Sequence, residues 1–148
     1  MSKVVALYHV VFCTKHRKNT LPIGKVELLY YYIWGILKNH NCFLHRIGGI
    51  ENHIHLLFDL PPDTALSDIM RMIKSDSSTW LKANQEFPFF NGWAREYYAS
   101  TISIKELEPV KRYIAEQKEH HKRLDFAEEL RRIGEEYGLT YFDKDLTD

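Results

Sequence analysis

The order of elements predicts an α+β protein: a ferredoxin-like split βαβ sandwich, with an antiparallel sheet, helices on one face, and further C-terminal helices. Three observations carry this. The elements run strand, helix, strand, strand, helix, strand, then helices. The two middle strands are separated only by Glu51-Asn52, which makes them a hairpin. The 148 residues, 45% hydrophobic and 14% aromatic, suffice for one core and exclude a low-complexity chain.

Val4 to Thr14 is rich in β-branched and aromatic residues and reads as the first strand. Lys15 to Asn19 follows as a basic loop. Pro22 opens a helix to about Asn39, since proline suits the first turn, where its missing N–H is not needed. Cys42 to Ile50 is the second strand, ended by Gly48-Gly49, and His53 to Leu60 is the third, stopped by Pro61-Pro62. Asp63 or Thr64 caps a second helix, Ala65 to Asn84, whose Leu66, Ile69, Met70, Ile73 and Trp80 follow helical spacing. A loop with Pro88 and Gly92 leads to the fourth strand, Trp93 to Ile104. A third helix runs from Glu106 to about Lys122, with Pro109 in its first turn. A charged helix, Asp125 to Tyr137, ends at Gly138.

Twenty Lys and Arg balance twenty Asp and Glu. The balance is uneven along the chain. Residues 1–50 hold seven basic side chains and one acidic one, Glu27. Residues 1–124 hold seventeen basic and twelve acidic, a surplus of +5, and residues 125–148 hold three and eight, a surplus of −5. A basic body with an acidic tail is compatible with a polyanionic partner. No run of about 18 apolar residues is present to span a membrane, and no signal peptide is recognisable. Cys13 and Cys42 lack C-x-x-C spacing and sit among apolar residues, so reduced, buried thiols and a cytoplasmic location are expected.

Side chains of a strand alternate faces, so His53, His55, Leu57 and Asp59 share one face, expected to be the one the helices leave open. Ile54, Leu56, Phe58 and Leu60 form an apolar row for the helices. Two neutral imidazoles at this spacing can hold one divalent cation. Tyr113 and Gln117 lie one turn apart on one face of the third helix, and His120 and His121 follow. An amide oxygen is a neutral hard ligand, and a tyrosine hydroxyl one turn away is a nucleophile within reach of what a metal holds.

The segment Gly49-Ile50-Glu51-Asn52-His53-Ile54-His55-Leu56-Leu57 resembles the His-hydrophobic-His motif of single-tyrosine transposases, of the insertion-sequence 200/605 and REP-associated types. Tyr8 to Lys15 followed by Arg17 resembles their first strand and basic turn. Trp93 to Ser103 resembles their tryptophan-led fourth strand, and Tyr113-Ile114-x-x-Gln117 their catalytic helix. The four segments occur in the family's order over about residues 4–122. The resemblance implies a catalytic domain at 1–124, with 125–148 an acidic helical tail outside the motif set. It implies Tyr113 as nucleophile and His53, His55 and Gln117 as ligands of Mg²⁺ or Mn²⁺. It further implies single-stranded DNA as substrate, often beside a hairpin, and a homodimer.

On that reading the strand is cut and rejoined through a 5′-phosphotyrosine that conserves the bond, so no ATP is needed. DNA contacts are expected from Lys15, Arg17 and Lys18 in the basic loop and from Lys74 on the second helix. Arg95 is expected to bind phosphate beside Trp93, which would stack a base if their face is open. Competing readings are an RRM-like single-strand binding module, a zinc hydrolase using His-x-His, and a domesticated transposase that no longer transposes.

Overall fold

The structure, a computed structural model, describes residues 2–117. A four-stranded antiparallel sheet is built from β1 (Leu7–Cys13), β2 (Phe43–Ile50), β3 (His53–Asp59) and β4 (Tyr98–Ile102), in the order β2-β3-β1-β4. This is the order that a split βαβ arrangement generates. Helices α1 (Val26–Asn39) and α2 (Leu66–Lys82) connect strands, and α3 (Leu107–Ala115) follows β4.

β1 and β3 are the central strands, and both are buried on both faces. Val10, Phe12, Ile54, Leu56 and Phe58 pack under α1 and α2 against Leu29, Ile33, Leu37, Ile69, Met70 and Ile73. The other face is not left open, contrary to expectation. α3 lies on it, closing a second cluster of Leu7, Leu57, Ile102, Val110 and Ile114. The near-continuous apolar run of β1 carries the reason: a strand covered on both sides has no polar face to alternate with.

Several boundaries shift. α1 begins at Val26, because Pro22 heads a separate turn whose carbonyl accepts from the amides of Lys25 and Val26. α2 begins after Ala65, and neither Asp63 nor Thr64 caps it; the Thr64 hydroxyl bonds Asp63 instead. Gly48 and Gly49 do not end β2 but lie inside it, paired with His55 and Ile54. A Cβ at Gly48 would sit 2.8 Å from the Ile114 carbonyl oxygen, so the missing side chain is what lets α3 approach β2. β4 begins at Tyr98 rather than Trp93. Residues 93–97 keep only a single bridge, Trp93 to Thr14, because the Trp93 ring turns into the core and the Lys74 ammonium takes the Arg95 carbonyl, 2.5 Å away.

A Ser103/Glu106 capping box leads through one short 3₁₀ turn into α3, with the Ser103 amide donating to Glu106 at 2.9 Å. α3 stops at Ala115, where Glu116 leaves helical geometry (φ −97°, ψ 18°). The expected continuation to Lys122, His120 and His121, the Asp125–Tyr137 helix and the 125–148 tail lie outside the described residues.

Candidate active site

β3 presents His53 and His55 on the face that α3 covers, with ring centroids 5.0 Å apart. Both are fully buried. Gly48 faces His55 across the β2–β3 ladder, and Ile114 of α3 takes the space its side chain would have filled. Across this face α3 brings Tyr113, whose ring lies edge-on to His55 at 5.8 Å. Gln117 follows one turn later and is also buried. Its amide nitrogen donates to the Tyr113 carbonyl at 3.3 Å. That contact turns the amide oxygen toward His53, 3.2 Å from Nε2. The two histidines, the tyrosine and the glutamine are therefore brought together, 58 or more residues apart in sequence for the tyrosine.

His53 Nδ1 lies 2.8 Å from Asn52 Oδ1, where the imidazole N–H donates to the amide oxygen. A neutral His53 held this way turns a bare Nε2 toward another acceptor, Gln117 Oε1. Two acceptors at that separation are reconciled by a proton on the imidazole or by a cation between them. At that distance both atoms could serve as ligands of one divalent ion. The donor set of two imidazoles and an amide oxygen fits a divalent ion. Being neutral, it leaves the ion's charge undiminished for a phosphate. Among the described residues no three His, Cys, Asp or Glu side chains gather as a metal site.

Cys13 pairs with His53 in the β1–β3 ladder but is no rival nucleophile. Burial pushes its thiol up to about 12, against the opposing pull of Arg17 and Lys74.

The basic residues gather beyond the end of β1. Lys15 and Lys18 are exposed and Arg17 is half-buried. His16 and Arg17 both take left-handed backbone (φ 57° and 55°). Lys15, His16, Lys82 and Arg95 line a cleft of about 530 Å³. Lys74 is half-buried, and desolvation lowers its pKa; it braces the 93–97 loop through the Arg95 carbonyl and lies 6.0 Å from the Tyr97 ring. Trp93 is not a stacking platform. It is 8% exposed, wedged edge-on between Phe12 and Phe90, and its indole N–H donates to Ser77 at 2.9 Å. A large apolar ring with one donor is stabilised by burial when a hydroxyl meets that donor.

Sequence reasoning missed Asn52, Lys82 and His9. Asn52 reads as a turn residue, yet its side chain holds His53 and its carbonyl accepts from the Thr14 amide at 2.9 Å, joining the basic loop to the histidines. Lys82 stands at the end of α2 in no recognisable pattern and reaches the cleft only through the fold. His9 is a lone polar residue on an apolar strand, which was its one signal.

The sequence model described as "Transposase IS200 like" matches residues 2–117. The transposases of insertion sequence IS200 from Salmonella typhimurium and Salmonella typhi are each 28% identical over 120 residues, covering 78% of both chains. Among solved structures, a REP-associated tyrosine transposase bound to a REP hairpin superimposes with TM-score 0.64 and 16% identity, over 100% of this chain and 93% of that one. A candidate transposase from Deinococcus radiodurans R1 gives TM-score 0.59 and 21% identity, over 78% and 93%. These two likenesses concern the fold; the sequence match covers every strand and the candidate site. The chain belongs to the family of IS200-like transposases, enzymes of DNA transposition.

Proposed function

We propose that this transposase cuts and rejoins single-stranded DNA through a covalent link to Tyr113, with Mg²⁺ or Mn²⁺ held by His53, His55 and Gln117. One observation carries the reading: α3 sets the Tyr113 ring beside His55, and Gln117, just past the end of α3, sets its amide oxygen against His53 Nε2. When bound, the ion supplies Lewis-acid polarisation of a phosphate oxygen.

The chain's own residues do the rest. Tyr113 Oη attacks phosphorus and gives up its proton, the P–O3′ bond breaks, and the departing 3′ oxygen takes a proton. The product is a 5′-phosphotyrosine and a free 3′-hydroxyl. A second 3′-hydroxyl reverses the step, so bond energy is conserved. Burial of His53, His55 and Gln117 keeps bulk water from competing for the phosphate. Lys15, Arg17, Lys18, Lys82 and Arg95 would hold the DNA backbone, with Lys74 acting through the loop it braces. A hairpin-bearing substrate is supported by the hairpin bound to the REP-associated relative. The proposal includes a homodimer, as the motif resemblance implies, and a cytoplasmic location consistent with the free thiols of Cys13 and Cys42. An RRM-like module is disfavoured, because α3 covers the sheet face on which such a module stacks bases.

The test is a labelled single-stranded hairpin incubated with Mn²⁺ and resolved on a denaturing gel. A covalent protein–DNA band is expected from the wild type and absent from Tyr113→Phe, which should still bind DNA. Cleavage surviving in Tyr113→Phe would replace the covalent route with attack by water.

A further inference from the structure

His9 is fully buried on β1, one of the two central strands, on the face it shares with Leu7, Val11 and Leu57. An imidazole there is costly unless it is hydrogen-bonded, and a leucine would fill the same wall at less cost. Its Nε2 lies 2.9 Å from His55 Nδ1, with the two rings stacked at 5.2 Å and 25°. The ring also meets Tyr113 edge-on at 6.4 Å.

A nitrogen–nitrogen hydrogen bond needs one donor and one acceptor. Two neutral arrangements satisfy it. In the first, His9 Nε2–H donates and His55 carries its proton on Nε2, where it blocks metal binding. In the second, His55 Nδ1–H donates to a bare His9 Nε2, and His55 Nε2 keeps its lone pair. His55 Nδ1 is occupied by His9 in either case, so Nε2 is the only atom His55 can offer a metal. The neighbouring ligand shows the same design: His53 Nδ1 is met by Asn52 Oδ1. Partners of this kind fix tautomer and ring orientation in metal sites.

We propose that His9 is the positioning residue for His55, accepting its Nδ1–H and thereby holding the ring with Nε2 bare and aimed at the ion. The number of protons on the pair is the same in both arrangements; only their placement differs. The inference rests on the reading of His55 as a metal ligand.

The test uses the full chain, Mn²⁺ alone as probe, and two variants. His9→Leu keeps bulk and removes the acceptor; His9→Gln supplies an amide oxygen in its place. Mn²⁺ affinity is read by electron paramagnetic resonance, histidine tautomers by ¹⁵N NMR of the metal-free protein, and folding by thermal melting. His9→Leu should lose about 10- to 100-fold in Mn²⁺ affinity, and His9→Gln should recover most of it. His55 should carry its proton on Nδ1 in the wild type and in His9→Gln. Wild-type Mn²⁺ affinity in a folded His9→Leu protein overturns the proposal. So does a wild-type His55 protonated on Nε2, a result that stands even if His9→Leu fails to fold. If the wild type binds no Mn²⁺, or binds it unaltered in His55→Ala and Gln117→Ala, the metal reading fails and His9 falls with it. Loss in those two variants without loss in His9→Leu overturns the role of His9 alone.

Discussion

Cys13 faces His53 across the ladder, two positions before Lys15, and its burial has a pH signature. Folding raises the thiol from 9.0 to about 12, so the folded chain holds this proton more tightly than the unfolded one. The resulting stability is complete below about pH 9 and drains away as pH climbs toward about 12. Tyr30, raised by burial and by Glu27, adds a contribution of the same sign at higher pH. The urea midpoint should therefore fall above about pH 9, and fall less in Cys13→Ala; equal slopes in both proteins would refute this account. At this scale the sequence showed the residues with distinctive chemistry at helical or strand spacing: His53, His55, Tyr113 and Gln117. It hid those whose role depends on distant partners. Trp93, expected as a stacking platform if its face is open and as a core residue otherwise, is settled as core by Ser77, which accepts from its indole nitrogen. His9 acquires meaning only from the β1–β3 register that sets it diagonally to His55.

The strand and helix order was legible, because alternation in β3 and helical spacing in α2 are local properties. What covers the second sheet face was not, because that is decided by the packing of α3 onto β2, far along the chain. Gly48 was the available clue, read as a strand end when its function is close approach. Gly48→Ala tests this directly. The added methyl would press on the Ile114 carbonyl oxygen and Cγ2, 2.8 and 2.9 Å away, both on the helix that carries Tyr113. A stability loss of about 1–3 kcal/mol is expected by melting or denaturant unfolding. Displacement of Tyr113, the proposed nucleophile, by about 1 Å should slow single-turnover cleavage about 100-fold. Full cleavage rate in Gly48→Ala would show that α3 adjusts without consequence.

For the molecule as a whole, charge is unevenly divided along the sequence. The +5 of residues 1–124 includes the loop and cleft residues Lys15, Lys18, Lys82 and Arg95, and the −5 of residues 125–148 offsets it. Removing 125–148 should raise affinity for non-cognate single-stranded DNA at low salt, with the gain fading as salt rises. Unaltered salt dependence in a binding titration would place the charge of residues 125–148 out of range of the DNA. The two halves of the site are also secured differently. β3 is hydrogen-bonded on both sides, whereas α3 is a nine-residue helix held by the small cluster around Val110 and Ile114. Amide exchange should find α3 opening well before β3, and equal protection would contradict it. On the proposed reading, the imidazoles that would hold the ion sit on the doubly paired strand and the attacking oxygen on the lightly held helix, so a local detachment of α3 would interrupt cutting and leave the sheet intact.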